Sequence, residues 1–117
     1  METARHTDLS SLKEIGGEDK TFMIDLIRTF LKVTPGHLKE LEEKSNNGDW
    51  VELKHVAHTM KPNVALMGIS SLNDIFSNLD GLIPDEVAEF LTQDIITKLK
   101  RILNESFKEL EQDIKDI

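Results

Sequence analysis

Cysteine and tyrosine are absent from the chain, tryptophan occurs once and proline three times. The missing cysteine excludes disulfides and is compatible with a reducing compartment. Aromatic residues make up only 5% of the 117 positions, so a core must be built from aliphatic side chains. Basic residues are also scarce: 14 stand against 22 acidic ones, for a formal charge of −8. That balance argues against nucleic acid as a partner, because binding to phosphates needs a basic face. There is no apolar run of membrane-spanning length, and the first residues do not read as a signal peptide, so the chain is expected to be soluble and cytoplasmic. No glycine-rich phosphate loop or nucleotide motif is present, which argues against an autonomous kinase. Strand-like alternation, internal repeats, low-complexity tracts and interdomain linkers are lacking as well.

Amphipathic helical segments are what remains. Met1–Thr7 is expected to fray, and Asp8–Ile15 to form a short helix stopped by Gly16-Gly17, with Leu9, Leu12 and Ile15 over one end of a bundle. Met23, Leu26, Ile27, Phe30 and Leu31 mark the inner face of a helix from about Glu18 to Val33. Thr34-Pro35 then reads as a cap and restart, leaving either one helix bent at Pro35 or two; Leu38 and Leu41 give the next piece a thin apolar face up to Asn46-Asn47-Gly48.

A central helix spans Asp49 to Gly68, where Asp49 and Glu52 have the spacing of a capping box and Leu53, Val56, Ala57, Met60, Val64 and Met67 form one stripe. Ser71 and Asp74 suggest another capping box ahead of Leu72, Ile75, Phe76 and Leu79, a ladder that Gly81 and Pro84 interrupt after Asp80. Asp85–Leu91 is open between a helical turn and a loop, and from Thr92 the chain is strongly helical almost to its end. This pattern implies a single all-α domain over 1–117, an antiparallel four-helix bundle with a short N-terminal helix.

On the central helix His58 lies roughly 150° from the middle of the apolar stripe, with Lys54, Lys61 and Ala65 on the same side. It is expected to face water. His58-Thr59-Met60-Lys61, a compact residue at Pro62 and Gly68 after a mostly apolar run resemble the His-x-x-Lys-Gly-x-x-x-x-x-Gly signature of histidine-containing phosphotransfer domains. These domains are small helical bundles that carry a phosphoryl group on one exposed histidine between receiver domains. The resemblance runs from about Leu9 to Asp80 in helix order, and more weakly over the last helix. It implies that His58 is the phosphoacceptor and that Lys61, one turn on, offsets the charge of the incoming group. An imidazole suits the task, being a nucleophile near neutral pH.

The expected partner is a response-regulator receiver domain, possible also within a hybrid histidine kinase. That partner would bring the magnesium ion and the aspartyl phosphate; no cofactor or metal is expected on this chain. Pro62 departs from the signature, which has glycine there, and should kink or loosen the helix near the carbonyl of His58. Gly68 either ends the helix in a left-handed conformation or permits close contact with another helix. A docking patch would use Lys54, His55, Pro62, Lys61 and Ala65, with Leu66 and Ile69 added by helical phase. Asn78 occupies a helix where the family often keeps a polar residue able to bond the phosphoryl group.

Two metal readings are weaker. Glu52-x-x-His55 is half of a di-iron motif without its second copy, and His55 with His58 has no evident third ligand. His6 and His37 read as surface residues. The competing function is a helical protein-interaction module without phosphotransfer.

Overall fold

The computed structural model describes residues 5–117, and among them there is no strand. Among the described residues six α-helices follow one another: α1 Ser10–Gly16, α2 Lys20–Asn47, α3 Trp50–Leu66, α4 Asn73–Gly81, α5 Pro84–Phe90 and α6 Gln93–Asp116, with a 3-10 turn at Ser70–Leu72. The chain is therefore all-α. The stretch 85–91, open between loop and helix on sequence grounds, is largely the short helix α5, entered through Pro84 at its first turn and steadied by Glu86 accepting from the Ile83 amide at 3.1 Å. Expected Met1–Ala4 fraying lies outside the described residues.

Helix α2 runs unbroken through Pro35. Its buried positions are Met23, Ile27, Phe30, Thr34, Leu38 and Leu41, so the inward stripe keeps its period on both sides of the proline. An interior proline costs about 3 kcal/mol. Burying Leu38 and Leu41 returns about 1.5–3 kcal/mol each, and both would leave the core if the second half changed direction. Pro35 itself is exposed, while Thr34, expected as a cap, is buried. The helix is capped where it does begin, by Asp19 accepting from the Phe22 amide at 3.0 Å, and closes at Gly48 with φ +69°.

The stripe of α3 is buried as expected, from Leu53 to Val64 and on to Met67. Two expected caps are not formed. The Asp49 carboxylate lies 3.8 Å from Lys44 rather than capping α3, and α4 starts from the 3-10 turn, with no side-chain cap among the described residues. Helix α3 packs against α2, α4 and α5, and α2 also packs against α1 and α6. Phe30 of α2 meets Phe107 of α6 with ring centroids 5.9 Å apart, and Lys100 of α6 bonds Glu42 of α2 at 2.7 Å. Leu12 is sealed beneath α1, but Ile15, expected beside it, is 63% exposed because the chain turns away at Gly16.

Ahead of α1, Arg5–Asp8 forms a strap rather than the frayed start expected through Thr7. The amides of His6 and Thr7 and the Thr7 hydroxyl all donate to the Glu109 carboxylate, at 3.0, 3.1 and 2.8 Å. Arg5 pairs with Asp113, and the His6 ring, half-buried rather than loose on the surface, lies 3.2 Å from Glu105. The Asp8 amide donates to the Met67 carbonyl at 3.0 Å, which ties the strap to the end of α3.

Candidate functional site

Because the stripe of α3 is taken up by the core, the opposite side of that helix is left in solvent. His58 stands there with 79% of its side chain exposed. Lys61 is three residues on, and Pro62 and Ala65 are exposed beyond it. Helix α3 runs on through Pro62 to Leu66, leaving the His58 carbonyl without the amide that would normally bond it four residues later. His55 is exposed one turn before His58. Lys54 is drawn across the surface, its ammonium donating to the Leu82 carbonyl beyond α4.

The turn at 67–72 folds α4 back along α3, bringing the last turn of α4 to His58. There the residue that meets the ring is Asp80. Its Oδ2 accepts from Lys61 Nζ at 2.7 Å and its Oδ1 lies 3.4 Å from His58 Nδ1. Asn78, read on sequence grounds as either a partner of the phosphoryl group or a plain surface amide, is exposed two residues earlier and rotated by about 200° on the helix, which fits the surface amide. The Lys61 bond holds the Asp80 carboxyl below its ordinary range; partial burial opposes this, and the contact with His58 adds to it. Asp80 is therefore a carboxylate near neutral pH, and a carboxylate only accepts. The long Nδ1 contact favours the tautomer with the imidazole proton on Nδ1, and in that neutral form the lone pair of Nε2 is directed outward.

The position of Asp80 follows once the turn between α3 and α4 is placed. In an antiparallel helix pair reversing near Ile69, the partner of position 58 falls at about 80, and Lys54 with Leu82 obeys the same pairing.

No protein-family model, curated protein or solved structure matches this chain.

The other expected site residues are distributed differently. Gly68 sits about 15 Å along α3 from His58, at ten residues of 1.5 Å rise. Its φ is +67°, as expected of a glycine that ends a helix, and a Cβ there would run into the Asp8 backbone carbonyl, so the close approach is made by the strap and not by a helix. Ile69 is fully buried, and Leu66 is half-buried against a cleft of about 90 Å³ that Leu26, Phe30, Val33 and Asn63 also line; neither joins the exposed face of His58. The apolar surface near that face comes instead from Val51, 54% exposed on α3, and Ile83, 59% exposed beside the Leu82 carbonyl that holds Lys54. Among the described residues no three histidine, aspartate or glutamate side chains are grouped closely enough to hold a metal ion. His37 is half-buried in α2, with Nδ1 enclosed and unpartnered among the described residues.

Proposed function

We propose that this chain is a phosphorelay intermediate of the histidine-containing phosphotransfer type, accepting a phosphoryl group on His58 from a receiver-domain aspartyl phosphate and passing it to another receiver. The observation that carries this reading is the exposure of His58 on a helix whose other face is fully committed to the core, with Lys61 one turn away. In this reading α2, α3, α4 and α6 make up the antiparallel four-helix bundle of the family, and α1 and α5 are additions.

The Nε2 lone pair attacks phosphorus; the N–P bond forms as the P–O bond to the aspartyl carboxyl breaks, and that carboxylate leaves with the electron pair. Lys61 exchanges its bond to Asp80 for one to the arriving phosphoryl oxygens. The receiver supplies its own acidic, magnesium-binding site, so this chain acts as carrier rather than kinase, in the cytoplasm where receivers work. Docking over α3 would use Val51, Pro62, Ala65 and Ile83 with the stems of Lys54 and Lys61, a small patch suited to a transient complex.

The alternative is an interaction module without phosphotransfer. One observation favours it, namely that Lys61 is already neutralised by Asp80. Incubation with a phosphorylated receiver decides between them. The relay reading expects acid-labile, base-stable label that His58→Gln abolishes; label that persists in His58→Gln, or none in the wild type with any receiver of the source genome, overturns it.

A further inference from the structure

We infer that Ile83, fixed on the turn between α4 and α5, selects the partner: it enters an apolar depression on the receiver domain whose rim is basic, and a receiver without that counterpart is turned away from His58. The nature of the partner rests on the function proposed above, whereas the way Ile83 is presented does not.

The turn owes its shape to proline. Pro84 opens α5 and keeps the residue before it out of helical geometry, so Ile83 is extended, at φ −74° and ψ 157°. Glu86 then grips that residue twice: its carboxylate accepts from the Ile83 amide at 3.1 Å, and its own amide donates to the Ile83 carbonyl at 2.9 Å. One residue earlier, the Leu82 carbonyl accepts from the Lys54 ammonium of α3. Three consecutive backbone polar groups are therefore bonded, and Pro84 brings no amide of its own. Yet the side chain of this well-held residue is in solvent, and α5 packs without it: Val87 and Leu91 are buried, and Leu82 and Phe90 rest against the core. An exposed aliphatic side chain on a backbone already ordered loses little entropy on docking, which suits it to anchor a small interface.

The turn lies on the His58 side of the molecule. Ile83 comes three residues after Asp80, whose carboxylate meets the ring, and Lys54 is one turn before His58 on α3. Val51, exposed one turn before Lys54, falls within about 20° of His58 around the helix and about 10 Å before it. A body docked over the ring thus meets two aliphatic side chains toward the start of α3.

The charge around them is of one sign. No lysine, arginine or histidine occurs between Lys61 and Lys98, and α5 carries Asp85, Glu86 and Glu89, all exposed; Glu52, next to Val51, adds another carboxylate. Lys61 is already paired with Asp80. A receiver brings the carboxylates of its magnesium site, so its approach is repulsive unless lysine or arginine around the depression answers α5. Apolar fit then supplies affinity, and the carboxylates supply discrimination.

The test titrates the intact chain, labelled with ¹⁵N, with the isolated receiver domains of the source genome, each activated with beryllium fluoride. A receiver that binds should shift the amides of Val51 and Ile83 together with that of His58. Ile83→Ser should weaken its binding about tenfold, and Ile83→Leu, of the same volume, should largely restore it. Asp85→Lys combined with Glu89→Lys should weaken the receivers that bind and admit others that the wild type refuses. Transfer is read beside binding: in Ile83→Ser the rate from a dilute phosphorylated receiver should fall about tenfold more than the rate from phosphoramidate, a donor with no docking surface.

An Ile83 amide that stays unmoved while His58 shifts, or Ile83→Ser binding as the wild type does, overturns the inference even where phosphoryl transfer succeeds. Failure of every receiver to bind overturns it together with the relay reading. Binding that depends on Ile83 but leaves no label on His58 upholds the docking role and counts against phosphotransfer alone.

Discussion

Lys61 and Asp80 form the closest charged contact at the candidate site, and a pair this exposed contributes no more than about 1 kcal/mol to stability. Its importance is local: it decides the charge His58 meets. Because Asp80 titrates lower in the folded chain than when unfolded, the contribution is fully present above the ordinary carboxylate range and disappears as pH falls through the lowered folded value. Replacing Lys61 by Met should raise the Asp80 titration toward the ordinary range, as followed by ¹³C NMR of its carboxyl carbon. A curve that does not move would mean that Lys61 is not what depresses it. His58 and Lys61 were legible from helical phase alone, since both lie on one helix whose apolar stripe dictates its rotation. Asp80 was not singled out, because its approach depends on how the 67–72 turn returns the chain.

At the scale of the helix, glycines and prolines that look alike in the sequence behave differently according to what packs on them. Gly48 and Gly68 both have positive φ, but nothing among the described residues lies within 4 Å of a Cβ at Gly48, whereas one at Gly68 meets the Asp8 backbone. Gly48→Ala should therefore cost only the left-handed strain, about 1–2 kcal/mol. Gly68→Ala adds displacement of the strap and should cost about 3 kcal/mol or more. Urea denaturation of the two variants measures the difference, and equal losses would show that the Asp8 contact is unimportant. Pro35 and Pro62 each sit inside a helix that continues past them. Local rules for proline foretell a bend or a stop; the apolar period running through both sites was the stronger signal, because it reports what the core holds in line.

Across the whole molecule, the strap joins the start of the described chain to α6, chiefly through the Glu109 carboxylate, and to the end of α3 through the bond from the Asp8 amide to the Met67 carbonyl. Burial pushes Glu109 upward, but the amides of His6 and Thr7 and the Thr7 hydroxyl together outweigh it and leave it below the ordinary glutamate range. Stability from this contact is thus present above the unfolded glutamate value and lost as pH falls through the lower folded one. Hydrogen exchange at the His6 and Thr7 amides should become faster as the solution is acidified through that window, relative to the intrinsic rate. Glu109→Ala should remove their protection at every pH, at a cost of about 1–3 kcal/mol for buried donors left unpaired. Protection that survives in Glu109→Ala would show that Arg5 and Asp113 hold the strap by themselves.

The all-α class, the inner faces of the long helices and the outward direction of His58 follow from the sequence by itself, because each is a matter of period along one helix and burial of the apolar stripe sets the rotation. Tertiary structure alone decided the burial of Ile69, the strap over Gly68 and the arrival of Asp80 at the ring. Each of these depends on which surface another segment presses against, and that pairing is made by residues far apart in the chain whose spacing leaves no local period to read.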